Sequence, residues 1–216
     1  MASTAKNQMH GKAFENHIKA ANGIFSYAAA DRKRSTGERF DISGDDDLVL
    51  KIPTSIKSSQ GEVIALSDAR KFWESFDYVP YRILVGVYLQ RENEKEFREI
   101  HEIIIREDYR EYLLGTVTLD QVTNFHNGLL GFKRGRHAEA RGWADERLEE
   151  LRTDLGLVYL NRKIDSKTQR RLQCSVGLSD LIEVVNRRDY TLHNLEFGNL
   201  ILPLRIKGGS RKFNKA

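Results

Sequence analysis

The chain of 216 residues is 40% hydrophobic and 31% charged, with a formal net charge of +4. This is the balance of a globular protein long enough to bury a core without staples. Its single cysteine, Cys174, excludes an internal disulfide framework and any multi-cysteine zinc site. No stretch approaches the ~20 apolar residues of a membrane span, and Met1-Ala2-Ser3-Thr4-Ala5-Lys6 lacks the apolar core of a signal peptide. The expectation is a cytoplasmic protein with no membrane partner.

Residues 1–8 are polar and read as loose. Phe14, Ile18 and Ala21 recur at helical spacing and predict a short amphipathic helix over 11–22, ended by Asn22-Gly23. Residues 24–30 suit either a small strand or a continued helix, and 31–39 a charged turn. Strands are expected over 38–43 and 48–58, joined by the turn residues Gly44-Asp45-Asp46-Asp47. Ser67 suits the N-cap of a helix through Ala69, Phe72, Trp73 and Phe76, with Asp68 in its first turn. Residues 81–90 are nearly continuously apolar, as a buried strand would be. After a polar turn over 91–96, residues 97–106 alternate like an antiparallel partner, a helix being the alternative.

Helices are expected over 119–130 and 139–155, with Trp73 and Trp143 at core spacing. Strands follow over 157–163 and 170–176, a helix capped by Ser179 over 179–185, and a last strand over 199–206. The predicted fold class is α/β (α+β), a central mixed β-sheet flanked by helices with a C-terminal β-rich region. Residues 1–216 read as a single domain with no linker, divided into 11–90, a strand and helical region 91–156, a third region 157–207 and a flexible basic tail 208–216.

Charge is uneven. From Asn161 onward there are 12 Lys or Arg and 5 Asp or Glu, against 23 and 26 in the preceding 160 residues. A basic C-terminal quarter on a nearly neutral body suggests a polyanionic partner, with a merely solvated basic surface as the plain alternative.

Residues two apart on a strand share a face, so Ser55 and Lys57 project together, and a hairpin can bring Asp41 beside them. A carboxylate, a hydroxyl and an ammonium then meet, and the Ile56 carbonyl adds an oxygen. Magnesium takes hard oxygen ligands, one or two of them carboxylates, with water and phosphate oxygens completing the octahedron. Glu15, on the first helix, is a second acidic contributor. An ion pair between Asp41 and Lys57 at a strand end is the structural alternative. Asp47 replaces Asp41 if the hairpin register shifts; otherwise Asp45-Asp46-Asp47 reads as a solvated turn.

Gly11-Lys12-Ala13-Phe14-Glu15, Arg39-Phe40-Asp41-Ile42 and Pro53-Thr54-Ser55-Ile56-Lys57 together resemble the N-terminal helix, aspartate strand and lysine strand of the PD-(D/E)XK nucleases, most closely type II restriction endonucleases. Phe40 stands where the family has proline and Ser55 where it has the middle acid, with Glu15 or Asp68 as compensating carboxylates. The resemblance spans about 11–90. It implies a restriction-endonuclease-like core with Asp41, Ser55, Lys57 and Glu15 as its catalytic set, and Mg²⁺ held by Asp41 and Ile56. It further implies hydrolysis of double-stranded DNA to 5′-phosphate and 3′-hydroxyl ends, and a homodimer.

Lys163, Ser166, Lys167, Gln169, Arg170, Arg171 and Gln173 combine base-reading side chains on an expected loop and strand, since Arg suits guanine and Gln adenine. A charged edge strand that discourages aggregation is the competing reading. Lys133, Arg134 and Arg136 form a second basic cluster suited to phosphate. The six histidines show no metal spacing, and Cys174 is expected to be packed. The competing function classes are a non-catalytic nucleic-acid-binding module and a DNA repair or base-excision enzyme.

Overall fold

The computed structural model describes residues 3–21, 23–31, 38–92, 94–133, 135–165 and 169–207. In chain order the elements are α1 (Ser3–Lys19), α2 (Tyr27–Asp31), β1 (Thr54–Ser59), β2 (Val63–Asp68), α3 (Ala69–Ser75), β3 (Tyr81–Arg91) and β4 (Glu94–Ile105). There follow α4 (Arg110–Leu114), α5 (Leu119–Gly131), α6 (His137–Leu151), β5 (Tyr159–Ile164), β6 (Arg170–Gly177), α7 (Leu178–Val184), β7 (Tyr190–His193), β8 (Glu196–Phe197), β9 (Leu200–Ile201) and β10 (Leu204–Lys207). The protein is mixed α/β, with a mixed sheet flanked by helices. Among the described residues no helix is long and apolar enough to cross a membrane.

Contacts divide the chain into two compact units. Unit 1 is Met1–Glu62, Pro80–Ile105 and Val185–Ala216; unit 2 is Val63–Val79 and Arg106–Val184. The units interleave, so the segment 11–90 contributes to both.

In unit 1, β3 and β4 form a long antiparallel pair, and β1 lies parallel to β3. The far edge of β4 is shared by β10, opposite Glu94–Phe97, and β7, opposite Ile100–Ile103. Tyr81 to Val85 are all buried, as expected for a strand covered on both faces. Helix α1 packs on β1, with Phe14 and Ile18 fully buried. The Phe14 ring stacks on Phe97 at 4.1 Å between centroids. Gly86 makes this approach possible: a Cβ there would lie 2.2 Å from Phe14 Cζ.

A buried polar network ties the loop before β1 to the sheet. The Arg82 guanidinium, 2% exposed, bonds Asp47 Oδ2 and Glu102 Oε1, each at 2.8 Å, while its Nε donates to Thr54 Oγ1 at 3.0 Å. It also lies over the Phe25 ring. Burial alone would raise the Glu102 carboxyl; hydrogen bonds from His193 and Arg82 outweigh it and hold the group below the usual carboxylate range.

In unit 2, β2, β6 and β5 form an antiparallel sheet in that order. Ile64, Leu66, Leu160, Ile164, Leu172, Cys174 and Val176 are buried, and α3, α5 and α6 pack on these strands. Trp73 Nε1 donates to the Val117 carbonyl at 2.8 Å. Helix α5 opens with a capping box between Thr118 and Gln121.

Several expected elements change. Residues 3–8, read as loose, are helical in α1. The expected strand over 38–43 reduces to one bridge, Ile42 to Thr54, because the Asp41 side chain takes the Ile56 N–H that a backbone ladder would use. The strand over 48–58 begins only at Thr54, since Asp47 folds Val49 and Leu50 back onto its carboxylate and Pro53 offers no donor. Residues 44–46 are a 3₁₀ turn. Strand β2 is unforeseen; it carries Ser67, and Asp68 is the cap of α3, accepting from Lys71 N.

Residues 97–105 are strand, within β4, which begins at Glu94 inside the expected turn and ends before Arg106. Helix α6 stops at Leu151, before Leu155. Helix α7 starts at Leu178, so Ser179 lies inside it. Pro203 divides the last expected strand into β9 and β10. The tail from residue 208, Asn22 and residues 32–37 of the charged turn lie outside the described residues.

Candidate active site and nucleic-acid surface

The backbone of Asp41 and Ile42 grips the first residue of β1. Both amides donate to the Thr54 carbonyl, at 2.9 and 3.0 Å, and Thr54 N donates to the Ile42 carbonyl at 2.9 Å. Ile42 is buried in the unit 1 core, and Asp41, 9% exposed, turns its carboxylate onto β1: Oδ2 accepts from the Ile56 N–H at 2.7 Å. The Ile56 side chain packs on the core, so Ser55 and Lys57 face the other way. Asp41 therefore sits at the peptide between those two residues. The Ile56 peptide, expected to contribute its carbonyl oxygen, meets Asp41 through its N–H.

Ser55 is buried and Lys57 half-buried, opposite Ile83 and Val85 of β3. Glu15 pairs with Lys19 at 2.7 Å, one turn along α1. Lys19, 5% exposed, lines a cleft of about 330 Å³ together with Asp41, Glu38, Arg39 and Phe40. Lys19 is unforeseen, although its i,i+4 spacing from Glu15, beside the apolar Phe14 and Ile18, marks it in the sequence.

The aspartate run is not a solvated turn. Asp47 is fully buried and engaged by Arg82, Val49 N and Leu50 N, which corrects its place as a possible metal ligand. Asp46 accepts from Ser26 and Ser43, and Asp45 alone is exposed. Asp68, expected to compensate for the missing acid, is committed to capping α3.

Among the described residues no three His, Cys, Asp or Glu side chains group as a metal site. Magnesium does not need three: one or two carboxylates suffice when water and phosphate fill the remaining positions. The Asp41 carboxylate, which lines the cleft, is a hard oxygen of that kind, and the Ser55 hydroxyl is another on the residue before the Ile56 that Asp41 contacts; both donor types suit the ion.

In unit 2 the two basic clusters come together. Arg170 Nη2 donates to the Lys133 carbonyl at 2.5 Å, joining the start of β6 to the connection before α6. Lys133, Arg136, Lys163 and Arg171 are exposed; Arg170, Gln169 and Gln173 are half-buried. Arg136 pairs with Glu139, which offsets part of its charge. The Gln169 backbone N–H donates to Asp165 Oδ1 at 2.8 Å, closing the β5–β6 connection. Arg134, Ser166 and Lys167 lie outside the described residues. The basic C-terminal quarter is thus split, with Arg162 to Arg171 in unit 2 and Arg187, Arg188, Arg205 and Lys207 in unit 1.

Comparison with protein-family models, with curated proteins and with solved structures finds no match to this chain.

Proposed function

We propose that the chain is a Mg²⁺-dependent, sequence-specific double-stranded DNA endonuclease of the type II restriction class, working as a cytoplasmic homodimer. The observation that carries this reading is the 2.7 Å contact of the Asp41 carboxylate with the Ile56 amide, between Ser55 and Lys57, on a strand paired in parallel with β3. This contact brings the aspartate to the backbone of the strand that carries the lysine, which supports the nuclease resemblance.

Asp41 and Ser55 would hold Mg²⁺, which supplies charge neutralisation at the scissile phosphate and a more acidic water. Lys57 orients the attacking water and balances the charge that builds on the phosphoryl oxygens. Water oxygen bonds to phosphorus as the bond to O3′ breaks, leaving a 5′-phosphate and a 3′-hydroxyl. Glu15 holds Lys19 in place at the cleft, where the ammonium attracts a phosphate. The basic unit 2 surface supplies DNA affinity, and a two-fold dimer matches a palindromic site.

Plasmid incubated with the protein and Mg²⁺ is expected to give discrete fragments, and EDTA to suppress them. Lys57→Ala should lose at least about 100-fold in cutting rate, the scale of removing one transition-state-stabilising donor, while DNA binding persists. Metal-independent nicking at abasic sites, or binding without cutting, contradicts the reading.

A further inference from the structure

The β5–β6 hairpin has one covered face and one open one. Directly opposite residues of an antiparallel pair share a face. The pairs Tyr159–Ser175, Asn161–Gln173 and Lys163–Arg171 lie on one side, and Leu160–Cys174, Arg162–Leu172 and Ile164–Arg170 on the other. The second set is buried or turned to the helices: Arg162 pairs with Asp145 of α6, and Arg170 with the Lys133 carbonyl. In the first set Tyr159, at 61%, Lys163 and Arg171 are exposed, and Asn161, Gln173 and Ser175 are half-buried.

Strand β2 accompanies β6 only from Gln173 to Gly177. Beyond Gln173 the sheet narrows to a two-stranded ribbon, Arg162–Ile164 against Arg170–Leu172. Lys163 and Arg171 stand directly opposite each other on it, and among the described residues no salt bridge engages either. Like charges so placed repel; an anionic partner lying over them turns that cost into attraction.

We infer that this ribbon enters the major groove of duplex DNA with its open face to the base edges. Lys163 and Arg171 are directed at guanine O6 and N7, and Gln173 at adenine N6 and N7. The inference rests on the DNA substrate proposed above and selects among its basic residues: Arg171 and Gln173 read sequence, whereas Arg170 braces the ribbon from behind. Two strands about 4.8 Å apart fit a groove about 12 Å wide. Asn161, whose Nδ2 donates to Ser175 Oγ at 2.8 Å, fixes the floor beside Gln173.

The test uses the full chain in EDTA, so that nothing is cut. A randomised duplex library is selected by binding and sequenced for the wild type and for Arg171→Ala, Gln173→Ala and Arg152→Ala, Arg152 being an exposed residue just past α6. The wild type should enrich a motif. Arg171→Ala should lose roughly 5- to 150-fold discrimination at a guanine, and Gln173→Ala a similar amount at an adenine, the range of one bidentate base contact. Arg152→Ala should return the wild-type motif. Replacing the selected guanine by 7-deazaguanine should weaken wild-type binding and leave Arg171→Ala unaffected.

If both variants enrich the wild-type motif, or single strands outcompete duplex, the ribbon inference fails even if plasmid is cut. If the motif depends on Arg171 but Mg²⁺ never yields cleavage, the ribbon stands and the endonuclease reading fails.

Discussion

Removing the Arg82 side chain would strand two carboxylates, Asp47 at 0% exposure and the half-buried Glu102, and leave Thr54 Oγ1 without its donor. Breaking a buried pair from one side costs about 3–5 kcal/mol, so Arg82→Met is expected to lower the urea midpoint of unfolding sharply; an unchanged midpoint contradicts this view of the network.

The same region predicts acid sensitivity. Burial depresses the His101 imidazole, with Glu99 only partly opposing it, and Glu102 is held low by its partners. Both groups bind fewer protons folded than unfolded. The His101 contribution is therefore present above its unfolded value near 6.5 and lost as pH falls below it; that of Glu102 goes later, below 4.5. Urea midpoints should fall between about pH 7.5 and about pH 5.5 in the wild type and much less in His101→Gln. Equal declines in the two proteins would contradict the assignment.

The approach of Asp41 to β1 was legible in the sequence, although it meets the Ile56 N–H and not the expected carbonyl. Asp41 lies 15 positions from Ile56, and a hairpin joins such neighbours. Asp47 and Arg82 are 35 apart, and nothing local marks them as partners.

Among the elements, the β1–β3 pairing and its cover by α1 depend on one missing methyl group. Gly86→Ala would push the Phe14 ring off Phe97, and overpacking of this kind costs about 1–3 kcal/mol. The combined variant with Phe14→Leu should recover part of the loss, measured by denaturant unfolding; no recovery would place the strain elsewhere. β3 and β4 were readable because their apolar run and alternation are long. β2 was not, since Val63-Ile64-Ala65-Leu66 is too short to fix a period and its partner, β6, lies more than a hundred residues later. The strands before Thr54 failed for another reason: aspartate side chains captured the backbone donors.

For the whole molecule, hydrophobic patterning indicated a mixed α/β chain but not its division, because both units are assembled from separated segments and no change in composition marks the crossings. The charge asymmetry was real as a count, yet the fold shares it between the units. The account rests on Asp41 acting through its charge as well as through its hydrogen bond. Asp41→Asn keeps an oxygen to accept the Ile56 N–H and removes the carboxylate's charge, so it separates the two roles. The decisive measurement is plasmid cleavage with Mg²⁺ by wild type and Asp41→Asn at equal DNA occupancy and equal urea midpoint. The account predicts discrete fragments from the wild type and none from the variant. Cleavage by Asp41→Asn at the wild-type rate would contradict it.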